Sequence, residues 1–243
     1  MKPANQKLKT KYFGIVAAGG SGTRLSSGIA KQYLEINSRS LLEISISVLI
    51  NSVNFTKLIV VIPESDMKKC RHLKEKFEQI ELVPGGKTRC ESVFEGLRFL
   101  YSTSKANDWC LVHDAARPCV QEKDILSLID ELKDSNIGGI LGAPVIDTLK
   151  RIDHDNQIKE TIDRVNLWKA FTPQMFRYGV LFESLSSVLK NGIVVSDESQ
   201  AVEKMGKQVR IVRGSSENIK VTYSEDVDKA KLFFSGLENK DFL

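Results

Sequence analysis

Phe13-Gly-Ile-Val-Ala-Ala18-Gly-Gly-Ser-Gly-Thr-Arg24-Leu25 is the stretch from which the rest of the chain is best read. Six apolar or small residues make a strand suited to burial on both sides, and they run directly into glycines at 19, 20 and 22. Glycines at a strand end let the backbone approach a ligand, and successive amide N–H groups form an anion nest. A strand of this kind belongs to a parallel sheet covered on both faces, where ligands gather at the C-terminal strand ends.

Outward from this point the same unit recurs. Lys57-Leu-Ile-Val-Val-Ile62, ended by Pro63, is followed by a lysine-rich helix through Phe77. Ile80-Glu-Leu-Val83 precedes a helix over Glu91–Leu100, and Trp109-Cys-Leu-Val-His113 precedes one over Lys123–Lys133. Gly139–Val145 is a fifth strand, and Leu41–Val53 is a helix after the first. Apolar strands alternating with helices predict an α/β fold, an open, mostly parallel sheet with helices on both faces. A length of 243 residues suits a single domain, 1–243. The pattern breaks at 147–170, where Thr148–Asp153 and Ile158–Asp163 alternate around a polar turn; this predicts an inserted β-hairpin arm. Helices over Phe176–Leu189 and Asp197–Met205, a strand near Val209–Val212 and a closing helix from Ser224 complete the reading.

Composition narrows the function. An apolar fraction of 42% with 27% charged residues excludes a disordered chain. The formal charge of +4 is too small and too scattered for nucleic acid, though it suits anionic small molecules. No apolar run approaches the roughly 20 residues of a membrane span, and Met1–Lys11 is polar without an h-region, so the expectation is a cytoplasmic protein with no membrane partner. Cys70, Cys90, Cys110 and Cys119 form no CxxC pair, which predicts reduced thiols and no structural zinc.

Several phosphate-binding patterns compete for the glycine loop. A Walker A loop needs Gly-Lys-Ser/Thr where this chain has Gly22-Thr23-Arg24. The dinucleotide fingerprint needs a third glycine where Leu25 stands, and Glu64 and Asp66 come too late for its ribose acid. A plain structural turn stays open on this segment alone. The third pattern joins Arg24 to Lys31 in Lys31-Gln-Tyr-Leu34, two cations beside a glycine nest that suit a triphosphate.

Gly20-Ser-Gly-Thr-Arg-Leu25 followed by Lys31-Gln-Tyr-Leu34 resembles the nucleotidyltransferase signature of the 2-C-methyl-D-erythritol 4-phosphate cytidylyltransferase family. Further segments follow in family order: Gly85-Gly-Lys-Thr-Arg-Cys-Glu-Ser-Val93, Val112-His-Asp-Ala-Ala-Arg-Pro118, Ala143–Arg151, Asp163-Arg164 with Leu167-Trp168, Thr172-Pro-Gln174, Ser196-Asp-Glu198 and Asn218–Thr222. Ala17 stands where the family most often has proline, Cys90 where glutamine is common and Ser196 where threonine is; none of these removes a charge.

The resemblance implies a Rossmann-like fold and transfer of a cytidylyl group from CTP to a polyol phosphate, with pyrophosphate released. It implies Arg24, Lys31 and Lys220 as catalytic cations, with Ala17, Ala18, Gly19, Gly20, Gly22, Gly86, Ser92 and Asp114 around the nucleotide. Asp114, Arg117, Thr148, Arg164, Thr172 and Lys220 would hold the acceptor. Mg2+ would be held mainly by the CTP phosphates, and the arm would clasp a second subunit in a homodimer. Rival readings are a ribitol-5-phosphate or related sugar-phosphate cytidylyltransferase and a non-catalytic nucleotide sensor, with a nicotinamide oxidoreductase the poorest. His113 reads as a hydrogen-bonded core histidine, Trp168 as arm packing and Cys90 as an inert small residue.

Overall fold

The computed structural model describes residues 10–19 and 30–238. Five strands match the apolar runs: β1 (Tyr12–Ala17), β4 (Lys57–Ile62), β5 (Ile80–Pro84), β6 (Trp109–Asp114) and β7 (Gly138–Pro144). With β10 (Trp168–Arg177) and β11 (Arg210–Arg213) they form one seven-stranded sheet in the order β11-β7-β10-β6-β1-β4-β5. Two small hairpins stand apart from it, β2 (Glu35–Ile36) with β3 (Arg39–Ser40) and β8 (Leu149–Ile152) with β9 (Ile158–Ile162). The helices are α1 (Leu41–Ser52), α2 (His72–Lys76), α3 (Arg89–Leu100), α4 (Glu122–Leu132), α5 (Tyr178–Lys190), α6 (Glu198–Lys204) and α7 (Ser224–Glu238).

Alternate residues of each strand feed two cores. Val16, Val60 and Leu111 face α1 and α4 residues such as Ile46, Leu49 and Leu128. Ile15, Val61 and Val112 face Val93 and Leu97 of α3 and Leu181 of α5. That two-sided burial is why these strands read as unbroken apolar runs. Local chemistry sets the helix starts: Ser40 and Glu43 form a reciprocal capping box on α1, and Thr88 with Glu91 does the same on α3.

Two expectations need correction. The lysine-rich helix through Phe77 is only a 3-10 turn, Glu64–Asp66, and the short α2. Within 147–170 the hairpin covers 149–162, and Trp168–Ala170 pair with β7. They open β10, which the sequence did not predict as a strand and which runs antiparallel to both β6 and β7. Pro173 concealed it, since proline lacks an N–H for a ladder. The structure accommodates Pro173 where the register slips between Ala170 and Gln174.

From β1 the chain builds outward through β4 and β5, then crosses to β6 on the other side of β1. This reversal opens a crevice at the C-terminal ends of β1 and β6.

Gly138 begins β7 at φ +132°, and a Cβ there would lie 2.1 Å from the Met175 carbonyl oxygen. Gly138→Ala should therefore lower the unfolding free energy by roughly 3 kcal/mol or more, through strain and backbone collision together. Urea unfolding checks this; an unchanged midpoint would show that the β7–β10 contact yields freely.

Candidate active site

A cleft of about 350 Å³ occupies that crevice. Ala17, Ala18 and Gly19 at the end of β1, Asp114, Ala115 and Ala116 at the end of β6, and Lys87, Thr88, Arg89 and Ser92 around the start of α3 line it. Lys31 and Gln32 enter from a single 3-10 turn, Lys31–Tyr33, and Lys220 enters from the loop before α7.

Asp114 is the centre of the charge arrangement. Its Oδ1 accepts from Arg89 Nε at 2.7 Å, and its Oδ2 pairs with Lys220 Nζ at 2.7 Å. The other end of Arg89 is a fork on Glu198, with Nη1 and Nη2 donating at 2.7 and 2.9 Å to a carboxylate that is fully buried. Burial alone would raise the Asp114 carboxyl, but Arg89 and Lys220 outweigh it and hold it well below the usual carboxylate range. Burial also disfavours the Arg89 charge, and Glu198 and Asp114 more than reverse this. Asp114 is thus an anion at any working pH.

Side chains replace the ladder beside Pro173. The Asp114 N–H donates to Thr172 Oγ1 at 3.1 Å, and Asn218 Nδ2 donates to the Thr172 carbonyl at 2.8 Å. Arg117 donates from Nη1 to the Asn218 carbonyl at 2.7 Å and from Nη2 to the Ala170 carbonyl at 3.3 Å, with its guanidinium 5.2 Å from the Phe171 ring centre. The Val221 N–H donates to the Ala116 carbonyl at 2.8 Å, which fixes the loop that carries Lys220. Ser92 Oγ donates to the Thr88 carbonyl at 2.8 Å and lies 3.3 Å from the Gly86 carbonyl. A Cβ on Gly85 would come within 2.7 Å of that hydroxyl oxygen, so the glycine keeps the loop tight against α3.

Of the residues singled out from the sequence, Ala17, Ala18, Gly19, Lys31, Ser92, Asp114 and Lys220 line the cleft together. Gly86 adjoins it through Ser92. Arg117 and Thr172 stand behind Asp114, the Thr172 hydroxyl accepting from the Asp114 N–H and the two Arg117 Nη atoms donating to backbone carbonyls. Thr148 and Arg164 lie on exposed positions of the arm, where Arg164 Nη1 donates to the Ile146 carbonyl. Gly20, Gly22 and Arg24 fall outside the described residues.

Six cleft residues were not singled out: Gln32, Lys87, Thr88, Arg89, Ala115 and Ala116. Arg89 and Glu198 both sit in segments that carry the family resemblance, but a pair 109 positions apart leaves no signal in one sequence. Cys90 is pushed up to about 11 by burial and then by Glu198, which fits an inert thiol. Among the described residues no cluster of three His, Cys, Asp or Glu could hold a metal ion, and no helix is long and apolar enough to cross a membrane.

His113 is fully buried and links this network. Its Nε2–H donates to the Arg117 carbonyl at 3.2 Å, so Nδ1 is left to accept from the Thr172 hydroxyl at 3.0 Å. Burial lowers its pKa to about 4, with the neighbouring Asp114 opposing. The unfolded chain takes up this proton near pH 6.5 and the native state only near 4. The stability due to neutral His113 is therefore complete above about pH 6.5 and declines as pH falls towards 4, by about 3 kcal/mol in all. His113→Gln should flatten the pH dependence of unfolding across this window. Equal slopes in both proteins would mean that His113 protonates without cost in the fold.

The sequence model of the family described as IspD, 2-C-methyl-D-erythritol 4-phosphate cytidylyltransferase, matches residues 13–235. A Vibrio vulnificus protein of that name is 41% identical over 226 residues, covering 93% of this chain and 95% of the relative. A solved structure described as 4-diphosphocytidyl-2C-methyl-D-erythritol synthase aligns with a TM-score of 0.82 at 33% identity, over 93% of this chain and 100% of its own. The Francisella tularensis 2-C-methyl-D-erythritol 4-phosphate cytidylyltransferase aligns with a TM-score of 0.80 at 32% identity, over 92% and 100%. The expected Rossmann-like nucleotidyltransferase fold is shared with these structures. With its fold, its cleft and nearly its whole length accounted for, the chain belongs to the 2-C-methyl-D-erythritol 4-phosphate cytidylyltransferase family.

Proposed function

We propose that the cleft between β1, β6 and α3 is where this chain carries out its family's reaction. As a member of that family the chain is a nucleotidyltransferase, joining CTP to 2-C-methyl-D-erythritol 4-phosphate with release of pyrophosphate. One observation carries the assignment to the cleft: Ala17–Gly19, Lys31, Ser92, Asp114 and Lys220, remote in sequence, line a single cavity.

In this reading a phosphate oxygen of the acceptor attacks the α-phosphorus of CTP in line, and the α–β bridging bond breaks to release pyrophosphate. The acceptor is already anionic, so no protein nucleophile is needed, and the chain positions charge and stabilises it. Lys31, Lys220 and Arg24 meet the phosphates. Ala17, Ala18, Gly19 and Gly86, with Ser92, would surround base and ribose, and Gly20 and Gly22 would bind the nucleotide. Asp114 fixes Lys220 at its working position, and Arg117 and Thr172 support the acceptor end by holding the Asp114 amide and the Lys220 loop. Asp114 is the only carboxylate lining the cleft among the described residues and already faces two cations. That donor set is poor for a protein-held cation, so Mg2+ belongs to the substrate as Mg·CTP, where it neutralises phosphate charge.

The arm supports a homodimer. Ile146, Leu149, Ile152, Ile158, Val165 and Trp168 are all exposed along it, an apolar surface that a second subunit would cover. Thr148 and Arg164 would then reach the acceptor in the neighbouring subunit's cleft.

Pyrophosphate release should require CTP, Mg2+ and 2-C-methyl-D-erythritol 4-phosphate, and Lys31→Ala should lower kcat roughly 10²-fold or more with a smaller change in acceptor KM. Faster turnover with ribitol 5-phosphate would move the acceptor assignment. A normal kcat in the variant would remove Lys31 from the catalytic cations.

Mixing inactive Arg24→Ala and Arg164→Ala proteins tests the composite site. In a mixed isologous dimer one site collects both defects and the other collects neither, so random exchange should restore roughly a quarter of wild-type activity. No recovery, with exchange confirmed by mass, would place Arg164 in its own subunit's site or outside the chemistry.

A further inference from the structure

We propose that Gln32 is a further nucleotide-binding residue, its carboxamide N–H donating to a phosphate oxygen of CTP. Only 2% of Gln32 is exposed, yet it lines the cleft beside Lys31, and its Nε2 has no hydrogen-bond partner among the described residues. Two other buried side-chain atoms share that condition, Arg117 Nε and Asn218 Oδ1, and neither residue lines the cleft. An amide donor withdrawn from water without a partner costs its full desolvation, so such groups in native proteins are exceptions that call for a physical reason.

The surroundings say what would satisfy it. Lys31 and Lys220 line the same cavity, so an acceptor drawn there is anionic, and a neutral donor beside them adds direction to their attraction. A half-turn about the terminal torsion exchanges the amide nitrogen and oxygen, which allows the donor to turn towards a ligand.

The turn that carries Gln32 is anchored on its far side. Tyr33 Oη donates to Asp66 Oδ2 at 2.6 Å, and Lys69 Nζ sits 3.8 Å from the Tyr33 ring centre. The Leu34 N–H closes the turn onto the Lys31 carbonyl. Gln32 is therefore presented from a fixed support, as a binding group requires.

The proposal rests on the cleft being the CTP site, and the test separates the two. CTP binding with Mg2+ is measured on the full chain for wild type, Gln32→Met and Gln32→Glu, together with thermal melting. Gln32→Met keeps the volume but removes the donor. It should bind CTP about tenfold more weakly or worse, with melting unchanged or raised because an unpaired polar group has gone. Its preference for CTP over UTP should stay as in wild type, since the contact is to phosphate and not to base. Gln32→Glu should be weaker still at pH 8, where a carboxylate takes the place of the donor and faces the phosphate. Unchanged CTP affinity in both variants overturns the proposal, and so does a collapse of the CTP-over-UTP preference. Wild-type protein that binds no CTP overturns the reading of the cleft itself.

Discussion

The Asp114 carboxylate, held at one oxygen by Arg89 and at the other by Lys220, is the interaction on which the site depends. Taking a carboxylate out of water costs several kcal/mol, and the cost is met only when geometry and partners are complete. Arg89 meets this demand because Glu198, wholly buried, grips its other edge with two parallel hydrogen bonds. Two cations and two anions are thus paired, and Arg117 Nε lies 3.9 Å from Asp114 Oδ2. Through these pairs the ends of β6, α3 and α6 and the loop before α7 take fixed positions around one cavity.

A second constraint follows from Pro173. Its missing N–H interrupts the β10 ladder beside the site, and the freed backbone groups must find other partners. Thr172, Asn218, His113 and Arg117 supply them in one buried chain of hydrogen bonds. Because Arg117 also holds the Ala170 carbonyl, the root of the arm and the floor of the cleft share the same fixings. Neutral His113 is part of this chain, since its protonation would add an N–H where the Thr172 hydroxyl now donates.

What the sequence determined by itself was whatever depends on neighbours along the chain. Runs such as Lys57–Ile62 announce strands buried on both faces, and the glycines after Ala18 announce a ligand-approach loop, because period and backbone freedom are local properties. The motif spacing was enough to suggest the family and most of the residues that line the cleft. Tertiary structure alone decided what depends on partners remote in sequence. β10 was hidden because a proline strand is admissible only when side chains from other segments replace its lost bonds. Arg89 stood in the sequence only as part of the Gly85–Val93 segment; the fold brings Glu198, 109 residues away, within 2.7 Å and makes Arg89 the support of Asp114. Gln32 stood in the sequence only as part of Lys31-Gln-Tyr-Leu34. Packing buried it at the cavity wall and left its donor without a partner, because burial is set by everything that folds around a residue and not by the residue itself.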